Sequence, residues 1–442
     1  MKILFISLGC DKNLADSEEM LGLLTGSGHE IVDSEEEAEA IVINTCCFIH
    51  DAKEESVNTI LEMAEYKKTG KCKALVVTGC MAQRYKEEIT QEIPEVDAVL
   101  GTTSYGDIVK ALNEVQAGHV FQEFRDINEL PEDSGRRVLT TGGHFGYLKI
   151  AEGCDKHCTY CIIPSLRGSF RSVPEERLLA QAEYMASQGV KELILVAQET
   201  TVYGTDLYGR KTLHILLKKL CQIRGIRWIR VLYCYPEEIY DELIQVMKEE
   251  KKICNYLDLP IQHASDRILK RMGRRTTRKQ LTDIITKLRR EIPDIVLRTS
   301  LITGFPGETQ EDHEELMEFV DEMEFDRLGV FTYSPEEGTP AETMEGQVPE
   351  EVKEERRDEI MSLQQEISLE KGSERIGQEL LVMIEGKVSG ESAYIGRTYA
   401  DAPKVDGYLF VQTGELLVTG DFARVRVTGA LEYDLIGELA DE

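Results

Sequence analysis

Short apolar runs rich in Ile and Val alternate with stretches of helical periodicity along the N-terminal part of the chain. The runs are typical of buried parallel strands and cover residues 2–8, 40–45 and 74–78. The helical stretches cover residues 16–27, 52–66 and 83–92. This β/α alternation predicts an open parallel sheet in a protein of the α/β class.

A longer β/α series begins at Gly146. Its predicted strands are residues 147–151, 192–197, 228–234, 256–260, 296–303 and 327–332. Its predicted helices are residues 175–188, 213–223, 237–249, 279–291 and 310–322. Six such units in one run predict a partial (β/α)6 barrel of the TIM kind. In barrels of this kind the chemistry gathers at the carboxyl ends of the strands.

The pattern changes again towards the C-terminus. Residues 349–371 form a predicted amphipathic helix that connects two domains. Beyond Gly377, runs of period two predict strands at residues 380–384, 394–399, 408–411 and 423–428. Several short strands in so short a segment predict a small antiparallel β-barrel, the kind of module that serves as a binding appendage.

We therefore expect three domains, at residues 1–117, 142–375 and 376–442. Residues 118–141 lose their periodicity and contain the cluster Pro131, Asp133, Ser134 and Gly135. Such a stretch is typical of a linker, so we place one between the first two domains.

Composition restricts the function classes. A run of about 20 apolar residues is absent from the sequence, so a membrane span is not expected. The short apolar start is followed by acidic residues from Asp11 onward, which favours a strand over a signal peptide. The eleven cysteines are an odd number. Without a secretory signal they favour a cytoplasmic protein with metal-binding or catalytic thiols over a disulfide framework.

The formal net charge of −30 is the largest anomaly of the composition. Phosphate binding requires Lys and Arg, so a general affinity for nucleic acid is not expected. A basic macromolecule would be attracted instead, and solubility is the alternative explanation of the charge. From Ile376 onward the chain has five Lys and Arg residues against twelve Asp and Glu residues. A basic protein partner therefore fits this segment better than RNA.

Three cysteines, Cys154, Cys158 and Cys161, follow the first predicted barrel strand with C-x3-C-x2-C spacing. One short loop of this kind can hold a single inorganic centre, and thiolate ligands select zinc, copper(I) or iron–sulfur. A structural zinc needs four ligands, for which His157 is the nearby candidate. His157 directly precedes Cys158, an awkward position for a shared tetrahedron. We therefore favour a cubane on three cysteines, which leaves one iron open for a substrate.

A second group of cysteines, Cys10, Cys46 and Cys80, lies at the carboxyl ends of the three N-terminal strands. In open α/β sheets the ligand site lies outside those ends, so we expect these thiols to converge on one edge. We infer a second site with three thiolate ligands there. Buried packing is the alternative for any one of them. Cys47 adjoins Cys46, and either could face the metal.

The three-cysteine stretch 154–161, placed after the first strand of a β/α barrel, resembles the radical S-adenosylmethionine superfamily. Residues 197–199, Ala-Gln-Glu, stand in the place of the Gly-Gly-Glu motif that contacts the methionine amino group, and they depart from it at two positions. Residues 301–308 resemble the segment of the fifth strand near the ribose and the methionyl moiety. The resemblance implies four residues that bind S-adenosylmethionine: Gln198, Glu199, Gly304 and Glu308. For such strand-end glycines a tight turn is the alternative.

Over essentially its whole length the sequence is similar to the methylthiotransferases, which combine an N-terminal domain with three cluster cysteines, a radical barrel and a TRAM barrel. Residues 7–14, 257–265 and 333–339 are similar to the RimO type of this family, which modifies a ribosomal protein. The family reads Asn-Thr-Cys-Gly-Phe-Ile where residues 44–49 read Asn-Thr-Cys-Cys-Phe-Ile. The alignment makes Cys46 the ligand and puts Cys47 in the place of the glycine.

The resemblance implies two [4Fe–4S] clusters and S-adenosyl-L-methionine as cofactors. One cluster would generate a 5′-deoxyadenosyl radical, and the second would hold the sulfur that captures the substrate radical. The implied product is methylthiolated at the β-carbon of an aspartate in the twelfth small-subunit ribosomal protein, a basic partner. A reductant such as flavodoxin or ferredoxin would serve the clusters, and no membrane partner is implied. The ligands implied for the two clusters are Cys154, Cys158 and Cys161, and Cys10, Cys46 and Cys80.

Two alternatives accompany this interpretation. A tRNA adenosine methylthiotransferase of the MiaB type would use the same chemistry on another substrate. Supplying tRNA and the ribosomal protein separately, and following the methylthio mass increment, distinguishes the two. A non-catalytic iron–sulfur electron carrier or a ribosome-binding scaffold is the alternative of another class, and it would bind clusters without turning over S-adenosylmethionine.

Overall fold

The computed structural model describes residues 1–132 and 135–440. Two residues of the predicted linker, Asp133 and Ser134, lie outside the described residues, as do Asp441 and Glu442 of the predicted C-terminal barrel. Three β-structures follow one another along the chain: a parallel sheet, an open parallel barrel and a small closed barrel. This architecture confirms the predicted fold class.

The N-terminal sheet has six parallel strands in the order β2-β1-β3-β4-β5-β6. The strands β1 to β6 are Lys2–Ser7, Glu30–Val32, Ala40–Thr45, Ala74–Gly79, Ala98–Leu100 and Phe121–Glu123. The helices α1 to α5 are Asp11–Gly26, His50–Thr69, Cys80–Arg84, Lys86–Glu92 and Ile108–Gln116. The two apolar strands in the middle, β3 and β4, are buried along their whole length, as expected for a sheet covered on both faces.

The structure differs from the sequence expectations at two places in this region. Helix α1 begins at Asp11 rather than at residue 16, because its first turns bury polar side chains such as Lys12 and Asn13, so no apolar stripe marks them. The predicted linker 118–141 contains β6, which pairs with β5 at the sheet edge. This strand has only the three residues Phe-Gln-Glu and therefore lacks a readable hydrophobic period.

The central barrel has six parallel strands in the order β14-β13-β12-β11-β10-β7. Its strands are β7 Phe145–Lys149, β10 Glu192–Val196, β11 Trp228–Val231, β12 Ile253–Asp258, β13 Val296–Thr303 and β14 Arg327–Thr332, with the short pair β8 Ala151–Glu152 and β9 Arg171–Ser172 beside them. Helices α6 to α10 are Ile163–Arg167, Glu175–Ser187, Thr205–Tyr208, Leu213–Leu220 and Asp241–Glu249. Helices α11 to α14 are Asp266–Arg271, Arg278–Glu291, Gln310–Met323 and Glu350–Ser373. The barrel stays open because β7 and β14 do not pair.

The C-terminal module is a closed five-stranded barrel in the order β15-β16-β17-β19-β18. Its strands β15 to β19 are Glu379–Lys387, Ala393–Arg397, Leu409–Gln412, Phe422–Ala430 and Leu435–Leu439. Four of the pairings are antiparallel, and β17 pairs with β19 in parallel. Strand β19 was not among the predicted strands, because Gly437 interrupts its hydrophobic pattern. A Cβ at Gly437 would stand 2.6 Å from the Val425 side chain, so the close approach of β18 requires glycine here.

This module packs against the amino ends of the central strands. Trp228, the first residue of β11, meets the Phe422 ring edge-on with centroids 4.8 Å apart. Glu192, the first residue of β10, is fully buried and pairs with Arg230 at 2.8 Å and with Arg397 of the C-terminal barrel at 2.7 Å. The C-terminal barrel thus lies opposite the strand ends at which chemistry is expected. Within the part of the chain that the structure describes, no helix combines the length and apolar character of a membrane span.

Replacing Glu192 by alanine tests this junction. The change leaves the buried Arg230 without its carboxylate partner, whereas Arg397 keeps Glu385 at 2.7 Å. We expect a loss of about 3–5 kcal/mol in the free energy of unfolding, because breaking one side of a buried ion pair strands the other charge. Urea denaturation followed by circular dichroism measures it.

The control is Glu291→Ala, which removes the partner of Lys248 on the barrel surface. Surface pairs contribute little, so its denaturation midpoint should match that of the unaltered protein. Equal midpoints for both variants would show that Glu192 does not hold the two barrels together.

Candidate functional site

The three-cysteine loop, residues 154–161, lies between β7 and α6 and is anchored by backbone hydrogen bonds. The N–H of Cys154 donates to the carbonyl of Gly168 at 3.1 Å, and that of Thr159 donates to the carbonyl of Met272 at 2.9 Å. Gly153 enters the loop with φ +74°, and a Cβ there would overlap backbone carbonyl oxygens. The barrel therefore holds the loop in one shape.

The loop turns its thiols inward and its histidine outward. Cys154 and Cys158 are 6% and 5% exposed, Cys161 is half-buried, and His157 is exposed. His157 also has a φ of +51°, in the left-handed region that few non-glycine residues adopt. This orientation favours a centre held by the three cysteines over a zinc site with His157 as its fourth ligand.

The donor set fits an iron–sulfur cluster. Burial raises the pKa of the Cys154 thiol to about 11 and that of Cys161 to about 12. Both are therefore neutral thiols near pH 7 unless a metal ionises them. Among the residues described, no three His, Cys, Asp or Glu side chains are spaced to hold a single metal ion. A cubane gives each thiolate a different iron atom, which suits thiols that share a loop without meeting at one point.

Cys10, Cys46 and Cys80 come together at one edge of the N-terminal sheet. They follow β1, β3 and β4, which are parallel neighbours. Gly9, with φ +88°, lies directly against the second of these cysteines, and a Cβ on Gly9 would stand 2.9 Å from the Cys46 Sγ. Cys10 is exposed, whereas Cys46 and Cys80 are buried. Three thiols that are far apart in the sequence thus share one strand edge.

Cys47 has the surroundings of a packing residue. It is fully buried in the apolar core of the N-terminal domain, in the cluster that includes Ile43 and Ile60. Burial raises the pKa of Cys47 to about 12, as it does that of Cys46, so the choice between them depends on position. The contact of Cys46 with Gly9 places Cys46 beside the end of β1, where Cys10 lies. This geometry favours Cys46 over Cys47 as the third ligand of that edge.

Asn13 and Arg167 join the two cysteine groups through hydrogen bonds. Asn13 Nδ2 donates to the carbonyls of Leu8 at 3.0 Å and Thr45 at 2.8 Å, which ties the ends of β1 and β3 together. Arg167, the last residue of α6, donates from its guanidinium to Asn13 Oδ1 at 2.5 Å. Burial raises the pKa of Cys80, and the nearby Arg167 guanidinium opposes that rise. A residue of the helix that follows the three-cysteine loop thus also interacts with a strand-end cysteine.

Buried charges fill the junction behind this contact. Lys149 of β7 pairs with Asp16 of α1 and with Glu152, and the Arg167 guanidinium lies 2.9 Å from Asp16. Burial alone would raise the pKa of Glu152, but Lys149 and Arg167 outweigh it and lower that pKa to about 2. Because a buried charge is costly without its partner, this network fixes how the N-terminal domain sits on the barrel.

Glu199 lies just beyond β10 and has one carboxylate oxygen that accepts no hydrogen bond from the residues that the structure describes. The residue is 1% exposed, and its Oε1 accepts hydrogen bonds from the N–H and the hydroxyl of Thr201. In the described chain neither Glu199 Oε2 nor Gln198 Oε1 accepts a hydrogen bond, although Lys156 Nζ lies 3.7 Å from that carboxylate oxygen. Burial raises the pKa of Glu199 to about 7. These free acceptors fit the protonated amino group of a ligand.

Gly304 and Glu308 already have partners within the protein. Glu308 accepts from the N–H of Gly304 at 2.8 Å and pairs with Arg356 of α14 at 2.9 Å. The same carboxylate lies 3.5 Å from His263 Nε2. A Cβ on Gly304 would overlap the Lys353 side chain of α14. The packing of α14 accounts for both residues, and their contact with S-adenosylmethionine stays a prediction.

Strained backbone collects around the three-cysteine loop. Besides His157 within the loop, Tyr233 and Gln262 have positive φ, at +58° and +71°. They lie just beyond the carboxyl ends of β11 and β12. Such conformations cost of order 1–3 kcal/mol and persist only where the surrounding structure enforces them. Their position at the strand ends agrees with the rule that barrel chemistry gathers there.

Tyr235 and Arg274 complete the surroundings of the loop. The Tyr235 hydroxyl lies 3.8 Å from Cys158 Sγ, and the Arg274 guanidinium lies 4.2 Å from the Tyr235 ring centroid. Two nitrogens of Arg274, Nε and Nη1, are buried and make no hydrogen bond to the residues that the structure describes. Tyr235 directly follows the predicted strand 228–234, whereas the sequence gives no sign of Arg274, because this arginine follows α11, far along the chain from the cysteines.

Three stretches of the chain match known protein families. Residues 2–101 match the Uncharacterized protein family UPF0004, residues 148–320 match the Radical SAM superfamily, and residues 376–440 match the TRAM domain. Solved structures resemble the fold. The radical S-adenosylmethionine methyltransferase TsrM from Kitasatospora setae superposes with a TM-score of 0.55 at 14% identity, over 77% of this chain and 75% of that one. The cobalamin-dependent S-adenosylmethionine radical enzyme OxsB gives 0.52 at 13% identity, over 83% of this chain and 56% of that one.

Curated relatives are similar over the full length. "Ribosomal protein uS12 methylthiotransferase RimO" of Lachnoclostridium phytofermentans is 64% identical over 99% of each chain. The protein of the same name from Pelotomaculum thermopropionicum is 51% identical over 99% of each chain. That from Clostridium botulinum is 50% identical over 100% of this chain and 99% of the relative. With this identity along its whole length, the chain belongs to the ribosomal protein uS12 methylthiotransferase (RimO) family.

Proposed function

We propose that the chain is a radical S-adenosylmethionine methylthiotransferase that modifies the β-carbon of an aspartate in the ribosomal protein uS12. The observation that carries this function is the 64% identity, over 99% of each chain, to a relative named for that activity. The three-cysteine loop at the carboxyl end of the first barrel strand supplies the chemical counterpart.

The cofactors are an iron–sulfur cluster and S-adenosyl-L-methionine, as the radical S-adenosylmethionine domain at residues 148–320 indicates. When bound, they supply one-electron radical chemistry. Cys154, Cys158 and Cys161 would hold the cluster through their thiolates. Gln198 and Glu199 would bind and orient the amino group of S-adenosylmethionine with their free oxygens. The burial of Cys154, Cys158 and Glu199 limits the access of water to the site.

A second [4Fe–4S] cluster, the source of the inserted sulfur, belongs in this proposal at Cys10, Cys46 and Cys80. The convergence of these residues on one strand edge supports it. Arg167 beside Cys80 supports it as well, since a guanidinium there would offset the negative charge of a thiolate-bound cluster. Gly304 and Glu308 remain in this proposal as residues that shape the loop near the expected S-adenosylmethionine site. They do so through the hydrogen bond from the Gly304 N–H to the Glu308 carboxylate.

The partners follow from charge and family. With a net charge of −30 the chain suits a basic ribosomal protein better than tRNA. A low-potential electron donor such as flavodoxin or ferredoxin would reduce the clusters. The domains in this proposal are residues 1–117, 142–375 and 376–442, joined by residues 118–141, of which 121–123 form a strand.

Replacing Cys158 by serine tests the catalytic cluster. Without three thiolate ligands the cluster does not assemble, so S-adenosylmethionine cleavage should be abolished. Deoxyadenosine formed under strongly reducing, anaerobic conditions measures it, and the methylthio mass increment on uS12 should vanish with it. Cys221→Ala is the control, because Cys221 is buried in the apolar core of the barrel. Deoxyadenosine production by the Cys158 variant would contradict the assignment of Cys158 as a ligand of the catalytic cluster.

A matched pair of alanine substitutions tests the second cluster. Reconstituted protein should contain about eight iron atoms per chain if it holds two cubanes. Cys46→Ala should lower this to about four, whereas Cys47→Ala should leave it unchanged, because Cys46 and not Cys47 meets the strand edge. Iron and sulfide assays measure both. The reverse pattern would make Cys47 the ligand, and about four iron atoms in the unaltered protein would remove the second cluster.

The pKa of Glu199, raised by burial to about 7, predicts a pH dependence. Below that pH the carboxylate is protonated and loses its attraction for the amino group of S-adenosylmethionine, and above it the pair forms. Affinity should therefore rise as the pH increases through 7. Equilibrium dialysis against the reconstituted protein measures it. Glu199→Gln should bind about tenfold more weakly at the alkaline end and lose this pH dependence, while Glu291→Gln keeps it. A profile that Glu199→Gln leaves unaltered would contradict the assignment.

A further inference from the structure

Lys12 differs from the other buried lysines that the structure describes. The buried lysines are Lys12, Lys149 and Lys353, which are 7%, 8% and 5% exposed. Lys149 has two carboxylate partners, and the Nζ of Lys353 donates to the Tyr333 carbonyl at 2.8 Å. In the described part of the chain, no carboxylate lies within 4.0 Å of Lys12 Nζ. The Tyr233 side chain is its direct partner, with the ring centroid 3.3 Å from the ammonium group, and Asp11 and Cys10 also interact with that group electrostatically.

A buried ammonium group needs more than an aromatic face. Taking the charge out of water carries a large penalty, which a cation–π contact offsets only in part. The carboxylate nearest in sequence, Asp11, interacts with the Tyr147 hydroxyl in the barrel interior. Asp11 acts on Lys12 electrostatically but forms no ion pair with it within 4.0 Å, so the place of a directly bound carboxylate is left to a ligand.

The position of Lys12 is between the two cysteine groups. It is the second residue of α1, two positions after Cys10. Its aromatic partner, Tyr233, follows β11. Two residues further along the chain, the Tyr235 hydroxyl lies 3.8 Å from Cys158 Sγ. A group bound at Lys12 would therefore lie between the catalytic loop and the proposed source of sulfur.

Tyr233 is itself fixed in place. Its N–H donates to Asp258 at 3.1 Å, and its carbonyl accepts from the N–H of Thr200 at 3.0 Å. These bonds hold it in the left-handed backbone region at φ +58°. The ring that carries the ammonium group is thus rigidly presented.

We propose that Lys12, supported on the Tyr233 ring, binds the side-chain carboxylate of the residue to be modified and so selects an aspartate. This inference rests on the proposed function and names the substrate group that its site recognises. The β-carbon of an aspartate is bonded to its carboxylate. An ion pair at Lys12 therefore fixes the reacting carbon within one bond of the anchored group, with its C–H bonds directed by that anchor. An asparagine or a nucleobase would leave the cation uncompensated.

Binding of two synthetic peptides to the reconstituted full-length protein tests the inference. One peptide carries the target aspartate of uS12, and the other carries asparagine in its place. For Lys12→Met we expect the Kd of the aspartate peptide to rise about 10- to 100-fold, and that of the asparagine peptide to stay unchanged. Lys12→Arg keeps the cation and should stay within about tenfold of the unaltered protein. Lys110→Met, an exposed lysine on α5, is the matched control.

Further measurements distinguish the possible outcomes. Iron content should be the same in Lys12→Met and the unaltered protein, and peptide-independent deoxyadenosine production should be the same in the control Lys110→Met and the unaltered protein. A loss of iron in Lys12→Met would overturn the inference, since Lys12 would then act on the cysteine site. Unchanged affinity for the aspartate peptide, or an equal loss for both peptides, would overturn it as well. Failure of the proposed function differs from all of these, because the unaltered protein would then add no methylthio mass to the aspartate peptide.

Discussion

The hydrogen bond from Arg167 to Asn13 is the contact on which the relation of the two cysteine groups depends. On one side, Asn13 ties together the ends of two strands that carry cysteines. On the other side, Arg167 ends the helix that follows the three-cysteine loop. Because both side chains are buried, neither can turn to water when the contact breaks. In the proposed function a substrate radical reacts with sulfur held at the second cysteine group, which requires a fixed separation of the two groups, and this contact with the ion network behind it supplies the constraint.

Charge at the junction is used in two ways. Lys149 and Arg167 are matched by Asp16 and Glu152, so these groups stabilise one docking of the domains. Lys12 is equally buried but lacks such a partner among the described residues. Structural charges are balanced within the chain, whereas a charge intended for a substrate must stay unbalanced until that substrate binds. The same distinction separates Glu308, whose carboxylate is fully engaged, from Glu199, which keeps one oxygen free.

The C-terminal barrel occupies the amino ends of the central strands, as the Glu192–Arg397 pair shows. Its acidic surface is therefore remote from the three-cysteine loop. In the proposed function its charge acts on encounter with a basic substrate and on the choice of partner, rather than on the reacting residue.

The sequence by itself determined the order of the three β-structures, the strand that precedes each cysteine, and the spacing of the three-cysteine loop. These are local properties, since strand periodicity and ligand spacing depend only on residues that are close together in the sequence. Segments without a local hydrophobic period were not predicted from the sequence, such as the three-residue strand β6 and the buried polar start of α1. Only the tertiary structure decided that Arg167 meets Asn13, 154 positions away, that Glu308 is engaged by α14, and that Lys12 is buried unpaired. Such contacts depend on how whole domains pack, and side-chain type alone does not specify its distant partner.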